Sequence, residues 1–263
     1  MKNSFLDNIE INMIYKVRIL IFLIPFFISA QKQIVSQQHA WVMYTGNHRL
    51  TDKWGVHTEY QWRRSEGFQH WQQSLLRIGI DYYAKPMLQL TAGYGWIKSF
   101  PYGEQPIAKA YNEHRIWEQV ILKSPIGRVD IQHRYRLEQR FLENWKINAE
   151  NSDWKMEGFN FRQRIRYRLF AAVPLTRNEW KDNTLFLAIY DEPFIGFGKG
   201  IGKNILDQNR FYAALGWRFN KNMNVQFGYL NQYIVKADGI QTERNHTLQI
   251  GLTYNVDFGS IVN

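Results

Sequence analysis

Phe161-Arg162-Gln163-Arg164-Ile165-Arg166-Tyr167-Arg168-Leu169 carries an arginine at every second position, with large and mostly apolar residues between. Successive side chains on a strand point to opposite faces, so this stretch gathers four guanidinium groups on one face and Phe, Ile, Tyr and Leu on the other. In a soluble sheet the apolar face would cover a core. Here segments of the same kind recur along the chain, aromatic residues sit near their ends, and no helical pattern offers a covering layer. The combination predicts a barrel turned inside out, apolar outside and charged inside, in a membrane.

Composition agrees with that reading. Hydrophobic residues make up 45% of the 263-residue chain and aromatic residues 16%. The mean hydropathy is nevertheless −0.45. A membrane barrel reconciles these values because only alternate residues meet lipid. The absence of cysteine excludes disulfides, thiolate metal sites and an N-terminal lipoprotein anchor. The net charge of +10 raises nucleic acid as a partner. The cations are instead interleaved with acids, as in Arg136-Leu137-Glu138-Gln139-Arg140, so no nucleic-acid partner is expected.

Near the N-terminus, Lys16 and Arg18 precede a ten-residue apolar run over 19–28 and then Ser29-Ala30-Gln31. This is the pattern of a secretory signal, and the run is short of the roughly 20 residues a spanning helix needs. A signal peptide over residues 1–30, cleaved after Ala30, is expected, with residues 31–263 forming the barrel. Met13 is a second candidate start.

Ten alternating segments are predicted between residues 54 and 258. They begin with Trp54, Val56, Thr58, Tyr60 and Trp62 and end with 246–258. Short connections fall at 84–87, 124–127 and 220–222, and long ones at 98–113, 141–158, 198–206 and 234–243. The expected fold class is an all-β, antiparallel, up-and-down transmembrane barrel of ten strands, or twelve, with its C-terminus in the periplasm of a Gram-negative cell. Residues 38–46, around Trp41, break the even count and read as an extra strand, a cap or a plug. Segment 114–123 has no clear phase, because Glu118 and Gln119 fall on opposite faces. His133 falls on the outward, apolar face.

The predicted charge cluster of the lumen is Arg134, Arg136, Glu138, Arg140, Arg162, Arg164, Arg166, Arg168, Tyr190 and Glu192. The wider ladder adds Arg128, Arg210 and Arg218, with Glu59, Asp81, Asp130 and Asp207 as further acids. Three readings stay open. The pairs can be structural, since arginine's planar fork matches a carboxylate. They can line a narrow anion-favouring pore for a small anionic solute. The chain can also be an outer-membrane lipid hydrolase, although no Ser and His stand at a convincing spacing and no catalytic residue is assigned. No cofactor and no metal site is expected. Gly198-Lys199-Gly200-Ile201-Gly202-Lys203 lacks the spacing and the helix of a phosphate loop. It reads as a basic external loop facing lipopolysaccharide phosphates. The surroundings expected are outer-membrane lipid and a monomeric state.

Several runs in order, Glu113-His114-Arg115-Ile116-Trp117, His133-Arg134-Tyr135-Arg136-Leu137-Glu138-Gln139-Arg140-Phe141, Arg164-Ile165-Arg166-Tyr167-Arg168, Tyr190-Asp191-Glu192-Pro193-Phe194 and Asn209-Arg210-Phe211-Tyr212, make the chain similar to a known family. They resemble the outer-membrane family called domain of unknown function 2490, common in Bacteroidetes-type bacteria, over about residues 36–258. The resemblance implies an outer-membrane β-barrel and carries no activity or catalytic residues.

Overall fold

A computed structural model describes residues 33–148 and 152–258. The signal-peptide reading lies outside these residues. The described chain forms eleven strands: β1 (Gln33–Arg49), β2 (Trp54–Ser65), β3 (His70–Lys85), β4 (Leu88–Ser99), β5 (Tyr111–Lys123), β6 (Asp130–Ile147), β7 (Trp154–Pro174), β8 (Thr184–Phe197), β9 (Leu206–Asn220), β10 (Met223–Val235) and β11 (Gln241–Tyr254). Each pairs antiparallel with the next, and β1 closes the sheet on β11.

The expectation of ten or twelve strands is thus corrected to eleven. Of the three readings of 38–46, the extra strand holds: residues 33–49 form a wall strand, paired antiparallel with β2 and parallel with β11. The parallel seam follows from the odd number. After ten reversals the last strand runs in the same direction as the first, so only a parallel ladder can close the barrel.

The long connection expected over 141–158 is also corrected. Strands β6 and β7 continue past the barrel rim as a hairpin, pairing up to Ile147↔Trp154 with a bulge between Glu143 and Trp145. Lys146 and Glu157 form an ion pair across it at 2.7 Å. Both faces of this extension meet solvent, so it lacks the polar–apolar alternation that marks a half-buried strand. Arg128, assigned from sequence to the inner ladder, instead lies in the tight turn closed by the Ile126↔Val129 bridge.

The outer surface is apolar. Ile78 and Ile80 are 55% and 61% exposed, and Leu76, Ile116, Leu215 and Phe227 are exposed as well. The inner face buries Glu59, Arg77, Asp81, Glu113, Arg136, Glu138 and Glu192. Aromatic pairs mark both ends of the band: Trp54 against Tyr82 at 4.8 Å, and Trp62 against Trp71 at 6.1 Å. From Trp54 to Trp62 the strand rises about 26 Å, which a tilt of about 40° reduces to about 20 Å along the axis.

Candidate functional site: the arginine–glutamate lumen

Strands β6 and β7 set the arginines directly opposite one another, with Arg134↔Arg168, Arg136↔Arg166, Glu138↔Arg164 and Arg140↔Arg162 as cross-strand pairs. Like charges so placed repel. Carboxylates interleaved from β5, β6, β8 and the start of β9 hold the arrangement together.

Glu138 is the hub and is 0% exposed. Its Oε2 accepts from Arg164 Nε at 2.6 Å, and its Oε1 accepts from Arg166 Nη1 at 2.8 Å and Arg115 Nη1 at 3.3 Å. Arg77 lies at 3.6 Å. Glu113 accepts from Arg115 Nε at 2.8 Å, and from Arg140 Nε and Nη2 at 2.7 and 2.9 Å. Glu192 accepts from Arg134 at 2.5 Å and Arg166 at 2.8 Å. Asp207 accepts from Arg164 at 2.6 Å, and Arg77 pairs with Glu59. The result is a continuous lattice across the mid-barrel, of charge-assisted bonds stronger than neutral ones.

A second set of arginines rests on aromatic faces. Arg136 donates to Gln119 at 2.7 and 3.0 Å, and its guanidinium lies 4.6 Å from the Trp117 ring. Arg63 and Arg210 lie over Trp41 at 4.0 and 5.1 Å, and Arg210 also over Phe194 at 4.8 Å. Arg168 lies 5.5 Å from Tyr190. The interior is therefore not purely polar: Trp41, Tyr212, Ala214 and Leu230 form a buried apolar cluster with Met43 and Tyr190 packed against it. An aromatic face attracts a desolvated cation where no anion is within reach.

The two ends of the lumen differ. At the long-loop end, Tyr102 from the β4–β5 connection folds inward. Its hydroxyl donates to Glu243 Oε2 at 3.1 Å, and its ring meets His39 edge-on. Burial, reinforced by the Glu243 carboxylate, pushes the Tyr102 hydroxyl well above its usual range, so it stays a donor at neutral pH. At the short-turn end the lumen opens as a vestibule of about 750 Å³, lined by eleven Arg or Lys and four Asp or Glu residues.

The family model described as protein of unknown function (DUF2490) matches residues 38–244. The chain belongs to the DUF2490 family. No curated protein and no solved structure matches it.

In this DUF2490 chain the sequence pattern missed part of the lattice. Arg115 and Glu113 escaped because β5 inverts the usual polarity, with Trp117 fully buried inside and Glu118 outside, where Gln139 donates to it at 3.2 Å. Arg77 alternates with apolar Leu76 and Ile78, a legible signal, whereas Arg63 is followed by the charged Arg64. Glu243, also fully buried, lies on β11, whose sequence-based start at 246 was five residues late. The outward histidines meet tyrosine hydroxyls: His133 with Tyr167 at 2.9 Å, His114 with Tyr94 at 2.5 Å, and His246 with Tyr229 at 2.5 Å. His48 Nε2 lies 3.0 Å from Thr58 Oγ1 and 3.2 Å from Tyr44. That is a hydroxyl–imidazole pair without the third, orienting group of a nucleophilic site among the described residues.

Proposed function

We propose that this DUF2490 chain is an outer-membrane β-barrel whose lumen is sealed by its ion-pair lattice, making it a closed, rigid barrel. The inverted polarity carries the reading. A wall that exposes Ile78, Ile80 and Phe227 while burying Glu138 and Arg136 is suited to hydrocarbon outside and charge inside. The closed ladder supports it too, because a sheet without edges leaves no unpaired backbone group in lipid. By the usual habit of short periplasmic turns the vestibule faces the periplasm. The parallel seam then starts β1 at the opposite surface.

Two requirements of a pore bear on the alternative. An anion-favouring passage is supported by the excess of cations in the vestibule. It is opposed by the hub, where Glu138 is wedged among Arg77, Arg115, Arg164 and Arg166. The sealed barrel is therefore the preferred reading.

Location is tested by expressing the full chain in a Gram-negative host and separating the membranes by density. The barrel is expected in the outer-membrane fraction, shortened by its signal peptide and running faster on a gel unheated than boiled. Recovery in the soluble fraction would refute the membrane assignment.

A further inference from the structure

Not every cation of the vestibule belongs to the lattice. Arg210 is 8% exposed, lines the cavity, and its Nε–H has no hydrogen-bond partner. Arg168 lines the same cavity, and its Nε–H is likewise unpartnered. The carboxylate beside them, Glu192, faces Arg210 directly across the β8–β9 ladder but is already engaged by Arg134 and Arg166. Arg134, opposite Arg168 on β6, keeps an unpartnered Nε–H of its own. Glu192 thus stands among four guanidinium groups, of which, among the described residues, only Arg166 also reaches a second carboxylate, Glu138.

The crowding of like charges in such a cluster is unfavourable. Like charges in a partly desolvated space repel, and buried donors without acceptors are destabilising. A purely structural interior would fill these positions with neutral side chains, as the neighbouring Tyr212 and Ala214 do. A multiply charged anion would relieve both penalties at once, since its oxygens accept several charge-assisted bonds. The aromatic rings under Arg168 and Arg210 hold the guanidinium planes in place meanwhile.

We propose that the vestibule is a binding site for a small, multiply charged anion bearing phosphate or carboxylate groups, held by Arg134, Arg168 and Arg210. The site stands on the cavity and its unpartnered donors, so it does not require the membrane assignment. Its ligand enters at the short-turn end and stops at the lattice.

The test uses the purified full-length barrel in detergent. Its heat-unfolding midpoint is followed while pyrophosphate or citrate is added, with sodium chloride at matched ionic strength as the control. The midpoint is expected to rise saturably with at least one of the two anions and not with chloride. A larger response to pyrophosphate identifies a phosphate ligand, and a larger response to citrate a carboxylate. Arg168→Gln is expected to weaken that binding about tenfold or more, while the anion-free midpoint stays level or rises because a repelling charge is gone. Arg210→Met should act in the same direction.

Two outcomes would overturn the site. One is a wild-type midpoint that responds no more to these anions than to chloride. The other is an undiminished response in Arg168→Gln, which would place the anions on the lysines and arginines of the rim. A drop in the anion-free midpoint of Arg168→Gln would show that Arg168 stabilises the empty barrel, and would contradict the argument from repulsion.

Discussion

Replacing Glu138 with alanine lowers the stability of the barrel by about 3–5 kcal/mol, the scale for breaking a buried ion pair and stranding its partner. The effect is expected at the upper end of that range, because Glu138 is shared. Arg164 and Arg166 lose their strongest common acceptor, while Arg115 and Arg77 are left nearer to uncompensated like charges. Glu138→Gln should fall between wild type and alanine, since the amide oxygen still accepts a bond but carries no charge. The check is urea unfolding of the barrel in detergent, read by tryptophan fluorescence. A transition unchanged in Glu138→Ala would mean that water fills the mid-barrel and solvates the arginines on its own.

Gly93→Val is the second large loss, of about 2–3 kcal/mol or more, because it overpacks a site that cannot relax. Gly93 faces Gly79 across the β3–β4 ladder. A Cβ at position 93 would stand 2.3 Å from the Ile78 carbonyl oxygen, and 2.8 Å from both the Gly79 Cα and the Trp117 ring. Two of those neighbours are backbone. The paired glycines leave a hollow for the Trp117 indole, and Trp117 in turn carries the Arg136 guanidinium. The same unfolding measurement should register the loss together with a changed environment for Trp117. Gly251→Ala serves as the control, since nothing stands within 4 Å of its added Cβ, and it should unfold like wild type.

These two residues also mark how far the sequence could be read. Glu138 was legible because β6 and β7 alternate strictly: Tyr135, Leu137, Ile165 and Tyr167 face out, and Arg134, Arg136, Arg164 and Arg166 face in. Strand β1 was legible only as one of the alternatives for residues 38–46, since apolar residues occupy both of its faces, with Trp41 and Met43 inward and Ala40, Val42 and Tyr44 outward. Without alternation the period-two signal weakens, which left the odd strand undecided against a cap or plug and the parallel seam unread. Strand β5 misled for a related reason, putting a tryptophan inside and a glutamate outside. The inward fold of Tyr102 onto Glu243 depends on a contact 141 residues distant in sequence, which no local pattern encodes. Arg168 and Arg210, whose Nε–H groups lack a hydrogen-bond partner, looked like any other rung of the ladder, because pairing is a property of the packed lumen.

The family assignment and the barrel rest on separate observations, and neither carries an activity. On the proposed reading the lattice is a seal, and Arg134, Arg168 and Arg210 hold an anion at one mouth. A sealed barrel with a one-sided vestibule binds without conducting, and this separates it from an anion pore.

The most direct test of the seal is single-channel recording from the refolded barrel in a planar bilayer under a salt gradient. The lattice around Glu138 predicts no steady conductance from barrels whose folding is verified by their gel mobility before and after heating. Steady anion-selective current, diminished when Arg164 and Arg166 are replaced, would contradict it and make the arginine ladder the filter of a pore.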